Sequence, residues 1–278
     1  MDFVKMHGLG NDFVIVETDS WNAADHLQKY AQFICDRHFG IGADGLVAVG
    51  PDEEMDIFMR IFNSDGSEPE MCGNGIRCVA GYAYKKGWVK NKKLSVRTLA
   101  GPRYPQIESA EGNTVTVRVD MGQPILERSL IPMQGDGAAV KVLLPTEQTE
   151  FEVTAVSMGN PHCINFVDDI HRVPVAEWGS IIETAPIFPA KTNVEFVQVL
   201  ARDEMIMRVW ERGAGITLAC GTGACATLVA AVLNDLSDRK ATIHLLGGDL
   251  LIEWDEGNNH VYMTGPAERV FDGKIELR

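Results

Sequence analysis

The chain has 278 residues, 45% of them hydrophobic and 23% charged, with a formal net charge of −14 at pH 7. That length buries a large core, as two modest domains or one large one. The acidity, with no Lys/Arg-rich block, argues against a nonspecific nucleic-acid surface or an anionic membrane surface, and no apolar run reaches membrane-spanning length.

Residues Phe3–Met6 and Phe13–Val16 read as a strand pair joined by the turn Gly8-Leu9-Gly10-Asn11-Asp12. Apolar spacing at Leu27, Ala31 and Ile34 predicts a helix over Ala24–His38 that stops near Gly40. Leu46–Val49 and Met55–Phe62 read as strands. A helix follows from just after Cys72 to near Gly87, with Ile76, Val79, Ala80 and Ala83 inward; Tyr82 and Tyr84 suggest burial nearly all round. Val115–Val119 is a further strand. Later strands are Val194–Val199, Ile206–Trp210 and Leu250–Trp254. A second post-cysteine helix carries Ala224, Leu228, Ala231 and Val232 on its apolar face and ends at Asn234-Asp235.

The second half repeats the first. Gly10-Asn11-Asp12-Phe13 returns as Gly159-Asn160-Pro161-His162, 149 positions later. Arg60-Ile61-Phe62-Asn63 returns as Arg208-Val209-Trp210-Glu211, and in each half a cysteine lies 12 residues beyond the arginine. Three matches in one order at a nearly constant offset point to duplication. Two such domains face to face would set their helix starts across a common cleft, with Cys72 and Cys220 on opposite sides of its ligand.

Both cysteines open a Gly-x-Gly turn, in Cys72-Gly73-Asn74-Gly75 and Cys220-Gly221-Thr222-Gly223. A helix start leaves backbone N–H groups unpaired, which favours thiolate and binds carboxylate. Inversion of an α-carbon needs a proton removed from one face and another delivered to the opposite face. Two opposed thiols divide those tasks, one as thiolate and one as thiol. Gly73, Asn74, Gly221 and Thr222 are the candidate donors to a substrate carboxylate. No lysine has the surroundings of a pyridoxal phosphate site, and neither turn fits a dinucleotide or phosphate-loop pattern, so no cofactor is expected. The spacings Cys72/Cys78 and Cys220/Cys225 do not suit structural zinc, so no metal is expected either. Cys35, Cys78, Cys163 and Cys225 read as inert core thiols. Met1–His7 lacks the features of a secretory signal, and a reducing cytoplasm is the expected compartment.

The chain closely resembles the diaminopimelate epimerase family. The resemblance rests on Gly8-Leu9-Gly10-Asn11-Asp12-Phe13, Gly42-Ala43-Asp44-Gly45, Phe62–Ser67, Met71–Cys78, Gly159–Cys163, Thr192–Phe196, Trp210–Gly215 and Ala219–Ala224, in that order along essentially the whole chain. It implies a mixed α/β (α+β) fold of two pseudo-symmetric domains, each a curved mixed sheet around a central helix, with the active site in the cleft between them. Residues 1–118 with 263–278 would form the domain supplying Cys72, and residues 119–262 the domain supplying Cys220. It also implies a homodimer, and a reaction interconverting LL- and meso-2,6-diaminopimelate on the route to lysine.

By the same resemblance, Cys72 and Cys220 are the acid/base pair. Asn63, Asn160, Asn193 and Arg212 hold the distal carboxylate, and Asn11 joins the polar shell. Glu211 receives a substrate ammonium or orients the site, and His162 tunes a thiol or shapes the cleft. Asp44 and Asp65 read equally well as turn residues. Ile216, where relatives often carry a polar residue, and Gly45, glutamine in some, depart from the pattern. A proline or hydroxyproline racemase and a noncatalytic amino-acid binder are the rival readings. Oxidation joining Cys72 to Cys220 is a possible secondary property.

Overall fold

The computed structural model describes residues 1–146 and 149–277. Its contacts divide the chain into two compact units, residues 1–120 with the segment from Thr264, and residues 121–263. No described helix is long and apolar enough to cross a membrane.

The first unit opens with the hairpin Asp2–Gly8 and Asn11–Glu17. Leu9 and Gly10 both lie in the left-handed region (φ 57° and 85°), the two-residue turn whose twist suits paired strands. Asn11–Glu17 then runs parallel to Gly45–Gly50, which is antiparallel to Ile57–Asn63, which is parallel to Val96–Thr98. Helix α1 (Gln28–Cys35) lies in the first crossover and packs Ala31 and Ile34 on the sheet face bearing Val14, Leu46 and Phe58. Helix α2 (Gly73–Lys85) lies in the second crossover and is buried continuously from Asn74 to Ala83. It touches the strands Asp2–Gly8, Ile57–Asn63, Gln106–Glu111 and Thr114–Asp120.

Two expectations need correction here. The helix predicted over Ala24–His38 begins as a 3-10 turn (Asn22–Leu27) and ends at Cys35. Asp36 turns extended, and its carboxylate accepts the N–H groups of His38 and Phe39 at 2.7 and 2.8 Å; this local bonding competes with further helix. Met55 is outside its strand because the Asp52 carboxylate accepts its N–H in a turn.

The second unit repeats the strand pattern. Glu150–Ser157 is antiparallel to Pro161–Phe166, which is parallel to Asn193–Ala201. Asn193–Ala201 is antiparallel to Glu204–Glu211, which is parallel to Lys240–Leu245. Helix α3 (Val175–Glu183) covers the face bearing Val194, Phe196 and Trp210. Helix α4 (Gly221–Leu233) packs against the strands of this unit, and Thr227 donates to the Met207 sulfur. It is buried on every side from Gly223 to Ala231, so its apolar face is no single stripe; Val232, assigned to that face, is half-buried.

Helix α3 approaches its sheet so closely that a Cβ on Gly179 would lie 2.5 Å from the Trp210 Cβ. Trp210 cannot retreat freely, because its indole N–H donates to Glu183 at 2.8 Å. Gly179→Ala is expected to lower unfolding free energy by about 1–3 kcal/mol, as overpacking does. Denaturant unfolding checks this, and an unchanged midpoint would refute it.

Candidate active site

In the first unit, Cys72 is the residue from which α2 starts, with extended backbone (φ −137°, ψ 119°) and its sulfur 3.4 Å from the Gly75 N–H. Asn74, one of the predicted donors, is buried. Its amide donates to Asn11 Oδ1 at 2.9 Å, and its own oxygen accepts from Arg77 at 2.9 Å. The wholly buried Arg77 also donates to the Gly73 carbonyl (3.3 Å) and the Pro266 carbonyl (3.2 Å), so it clamps the turn that carries Cys72. Asn11 donates in turn to Asp44 at 2.7 Å. Asp44 therefore holds a predicted binding residue as well as shaping a turn. Asn63 ends its strand and donates to Ser67 within the following turn (2.9 Å).

In the second unit, strand register assembles the polar groups. His162 lies opposite Asn193, and side chains two apart along a strand share a face, so His162, Asn193 and Glu195 all point toward α4. His162 Nδ1 is 2.7 Å from Glu195 Oε1, and Nε2 is 3.0 Å from Asn160 Oδ1. Asn193 donates to the Pro161 carbonyl and accepts the Arg212 N–H at 2.9 Å. Glu183 accepts the next N–H, from Gly213, at 3.2 Å. The backbone at Arg212 is thus held from two sides while its exposed guanidinium donates to the Ala190 carbonyl. Thr217 donates to Glu211, and the half-exposed Ile216 lies beside this bond without joining it.

Cys220 starts α4 and is 5% exposed, its sulfur 3.6 Å from the Thr222 hydroxyl. The helix start was expected to favour thiolate, but here the opposite holds. Burial pushes this thiol well above its ordinary range, and the carboxylates of Glu211 and Glu195 add to the shift. The Thr222 hydroxyl and Gly223 N–H oppose it and are outweighed. Glu211 is itself raised, first by burial and then by Glu195, against the Thr217 bond. The thiols read as inert are also raised by burial, Cys35 to about 11, Cys78 to about 12, and Cys163 well above its usual value.

Sequence reasoning assigned no role to Arg77, Glu183 or Glu195. For Arg77 and Glu195 the available signal was a lone charge inside an apolar run, Ile76-Arg77-Cys78-Val79 and Val194-Glu195-Phe196-Val197. His162, Glu195 and Cys220 also offer ligand-type atoms within 4.8 Å of one another, the kind of set that could hold a metal ion. Both imidazole nitrogens already have partners, Nδ1 facing Glu195 and Nε2 facing Asn160.

An ion-pair network backs the first unit's turn. Burial raises the Asp12 carboxyl, but bonds from Arg37 (2.8 and 3.1 Å) and Lys5 (2.6 Å) outweigh that and hold it at about 2. A depressed carboxylate stabilises the fold above its unfolded value, and that stabilisation fades as pH falls through the folded one. Asp12→Asn should therefore destabilise the protein at neutral pH, with the deficit shrinking from about pH 4 toward about pH 2. Denaturant unfolding across that range tests it, and a deficit independent of pH would refute it.

The sequence pattern of the family described as Diaminopimelate epimerase matches residues 3–127 and 154–270. A diaminopimelate epimerase from Heliobacterium modesticaldum is 57% identical over 100% of both chains, and one from Pelotomaculum thermopropionicum is 56% identical over the same share. Among solved structures, a PhzF-family phenazine biosynthesis protein from Bacillus anthracis aligns with a TM-score of 0.73 at 14% identity, covering 100% of this chain and 99% of its own. A hydroxyproline epimerase from Agrobacterium vitis aligns at 0.68 and 15% identity, covering 99% and 90%. Those two likenesses establish the fold alone. The identities above one half, sustained over the whole of each chain, establish more: the chain belongs to the diaminopimelate epimerase family.

Proposed function

We propose that this protein interconverts LL- and meso-2,6-diaminopimelate without a cofactor, as a step toward lysine. The observation that carries this reading is the pair of cysteines, each at the start of a deeply buried helix in topologically duplicated units. The relatives' shared name supplies the substrate.

Stereoinversion needs a base on one face of the α-carbon and an acid on the other. In this reading Cys220, kept as thiol by burial and by two carboxylates, supplies the acid of the first half-cycle. Cys72 supplies the base, taking the α-proton as Cys220 delivers its own to the opposite face. The sulfurs end with exchanged protonation, and the reverse reaction starts from that state. N–H groups of Gly73, Asn74, Gly221 and Thr222 hold the reacting carboxylate and stabilise the charge that develops beside it. Arg212, with Asn63, Asn160 and Asn193, holds the distal carboxylate, a task suited to a planar guanidinium fork. Asn11 completes the polar shell, and Glu211 receives a substrate ammonium. Because both sulfurs must stay reduced, a cytoplasmic setting fits the chemistry, and a homodimer is the assembly to look for by sedimentation.

Incubation with LL-diaminopimelate in deuterated water should yield the meso isomer with one α-deuterium. Proline turnover without diaminopimelate turnover would reverse the assignment, and binding without exchange would indicate a noncatalytic binder. Cys72→Ala or Cys220→Ala should each abolish epimerisation in a folded protein, and normal turnover in either would refute the two-thiol mechanism. Arg212→Ala should raise KM at least about tenfold, as loss of a charge-assisted contact does. Mass-resolved alkylation by iodoacetamide at neutral pH should modify Cys72 before Cys220; the reverse order would exchange their starting roles.

A further inference from the structure

The duplicated fold contains its own control for the residues around Cys220. In the first unit the strand Asn11–Glu17 places Phe13 opposite Gly45 and Ile15 opposite Val47. In the second unit the matching strands place His162 opposite Asn193 and Ile164 opposite Glu195. The sheet position of Glu195 is therefore filled by Val47 in the copy, and that of His162 by Phe13. The fold accepts apolar side chains at both places and does not require a carboxylate or an imidazole there.

Glu195 is nonetheless a costly residue to keep. It and His162 are 0% exposed, and its strand neighbours are Val194, Phe196 and Val197. One oxygen, Oε1, meets His162 Nδ1 at 2.7 Å; the other, Oε2, is buried with no hydrogen-bond partner among the described residues. The start of α4 is fitted around this carboxylate. A Cβ on Gly223 would lie 2.6 Å from Glu195 Oε1 and 3.2 Å from the Cys220 sulfur, whereas the corresponding Gly75 has nothing closer than 3.4 Å. The third glycine-turn position thus has tight contacts only in the half that carries the carboxylate.

We infer that Glu195 is a positioning residue for the reaction, fixing the His162 imidazole through Nδ1 and setting a negative charge beside the Cys220 sulfur. A carboxylate accepting at Nδ1 requires the proton on that nitrogen and orients the ring so that Nε2 faces Asn160. The charge acts on a sulfur that also faces Glu211 from the strand Glu204–Glu211, His162 from the strand Pro161–Phe166, and Thr222 from α4 itself. Both carboxylates disfavour thiolate at Cys220, so its proton stays in place until it is delivered. The consequence for turnover rests on the epimerase reading; the geometric assignment does not.

The test compares the parent protein with Glu195→Gln, which keeps the shape and removes the charge. Mass-resolved alkylation of Cys220 without substrate should become roughly tenfold faster or more at a given pH between about 7 and 9, because a unit charge within a few ångströms is removed. In turnover, kcat should fall at least about tenfold with KM changed less than about twofold. Cys220 alkylation and kcat both within about twofold of the parent would overturn the assignment. Should the variant fail to fold, nitrogen NMR of the parent decides: a protonated Nδ1 on His162 upholds it, and an unprotonated Nδ1 overturns it. Failure of the parent to turn over diaminopimelate would count against the proposed function alone, since alkylation and NMR use no substrate.

Discussion

Everything distinctive about this protein follows from burying a helix on all sides while placing a cysteine at the position that caps its start. A helix start has N–H groups that no earlier turn can satisfy, so something polar must meet them. In α2 the cysteine sulfur itself faces the Gly75 N–H, while Asn74, Asn11 and Arg77 brace the turn. In α4 the sulfur is enclosed more completely and has carboxylates for company. The same device therefore yields two sulfurs in unlike environments, as a reaction needing one acid and one base demands.

Duplication explains how the two environments diverged on one framework. The alternation of antiparallel and parallel pairings is the same in both units, and the helices occupy the same crossovers. Side chains on the helix-facing side of the sheet changed instead. Phe13 and Val47 keep the first unit apolar behind its helix, while His162 and Glu195 make the second polar. Burial magnifies that change, because charge interactions strengthen where water is excluded.

The arginine and glutamate clamps are the less visible half of the design. Arg77 has no exposed atoms, yet it joins the Gly73 carbonyl, Asn74 and the returning C-terminal segment at Pro266. Glu183 sits on α3 and holds the backbone just beyond Arg212 while anchoring the Trp210 indole. Burial raises this carboxyl, but the Trp210, Gly213 and Lys191 bonds together outweigh it and keep it below its ordinary value. Such groups fix where a binding residue points, which decides whether a bidentate contact can form.

Much was legible in the chain itself, because it is written locally. The Cys-Gly-x-Gly turns, the 149-residue offset and the apolar periodicity of the core strands are read within short windows, and they located both sulfurs, both central helices and the duplication. Helix α1 stops short of the end that apolar spacing predicts because the Asp36 carboxylate competes for the backbone N–H groups of His38 and Phe39, which apolar spacing does not register. The state of Cys220 could not be read from its own segment. Its helix start argues for thiolate, but Glu195 and Glu211 reach it from strands 25 and 9 residues earlier in the chain, through sheet register. Tertiary structure alone decided that contest, since burial and Coulombic repulsion act through space and the sequence orders residues only along the chain.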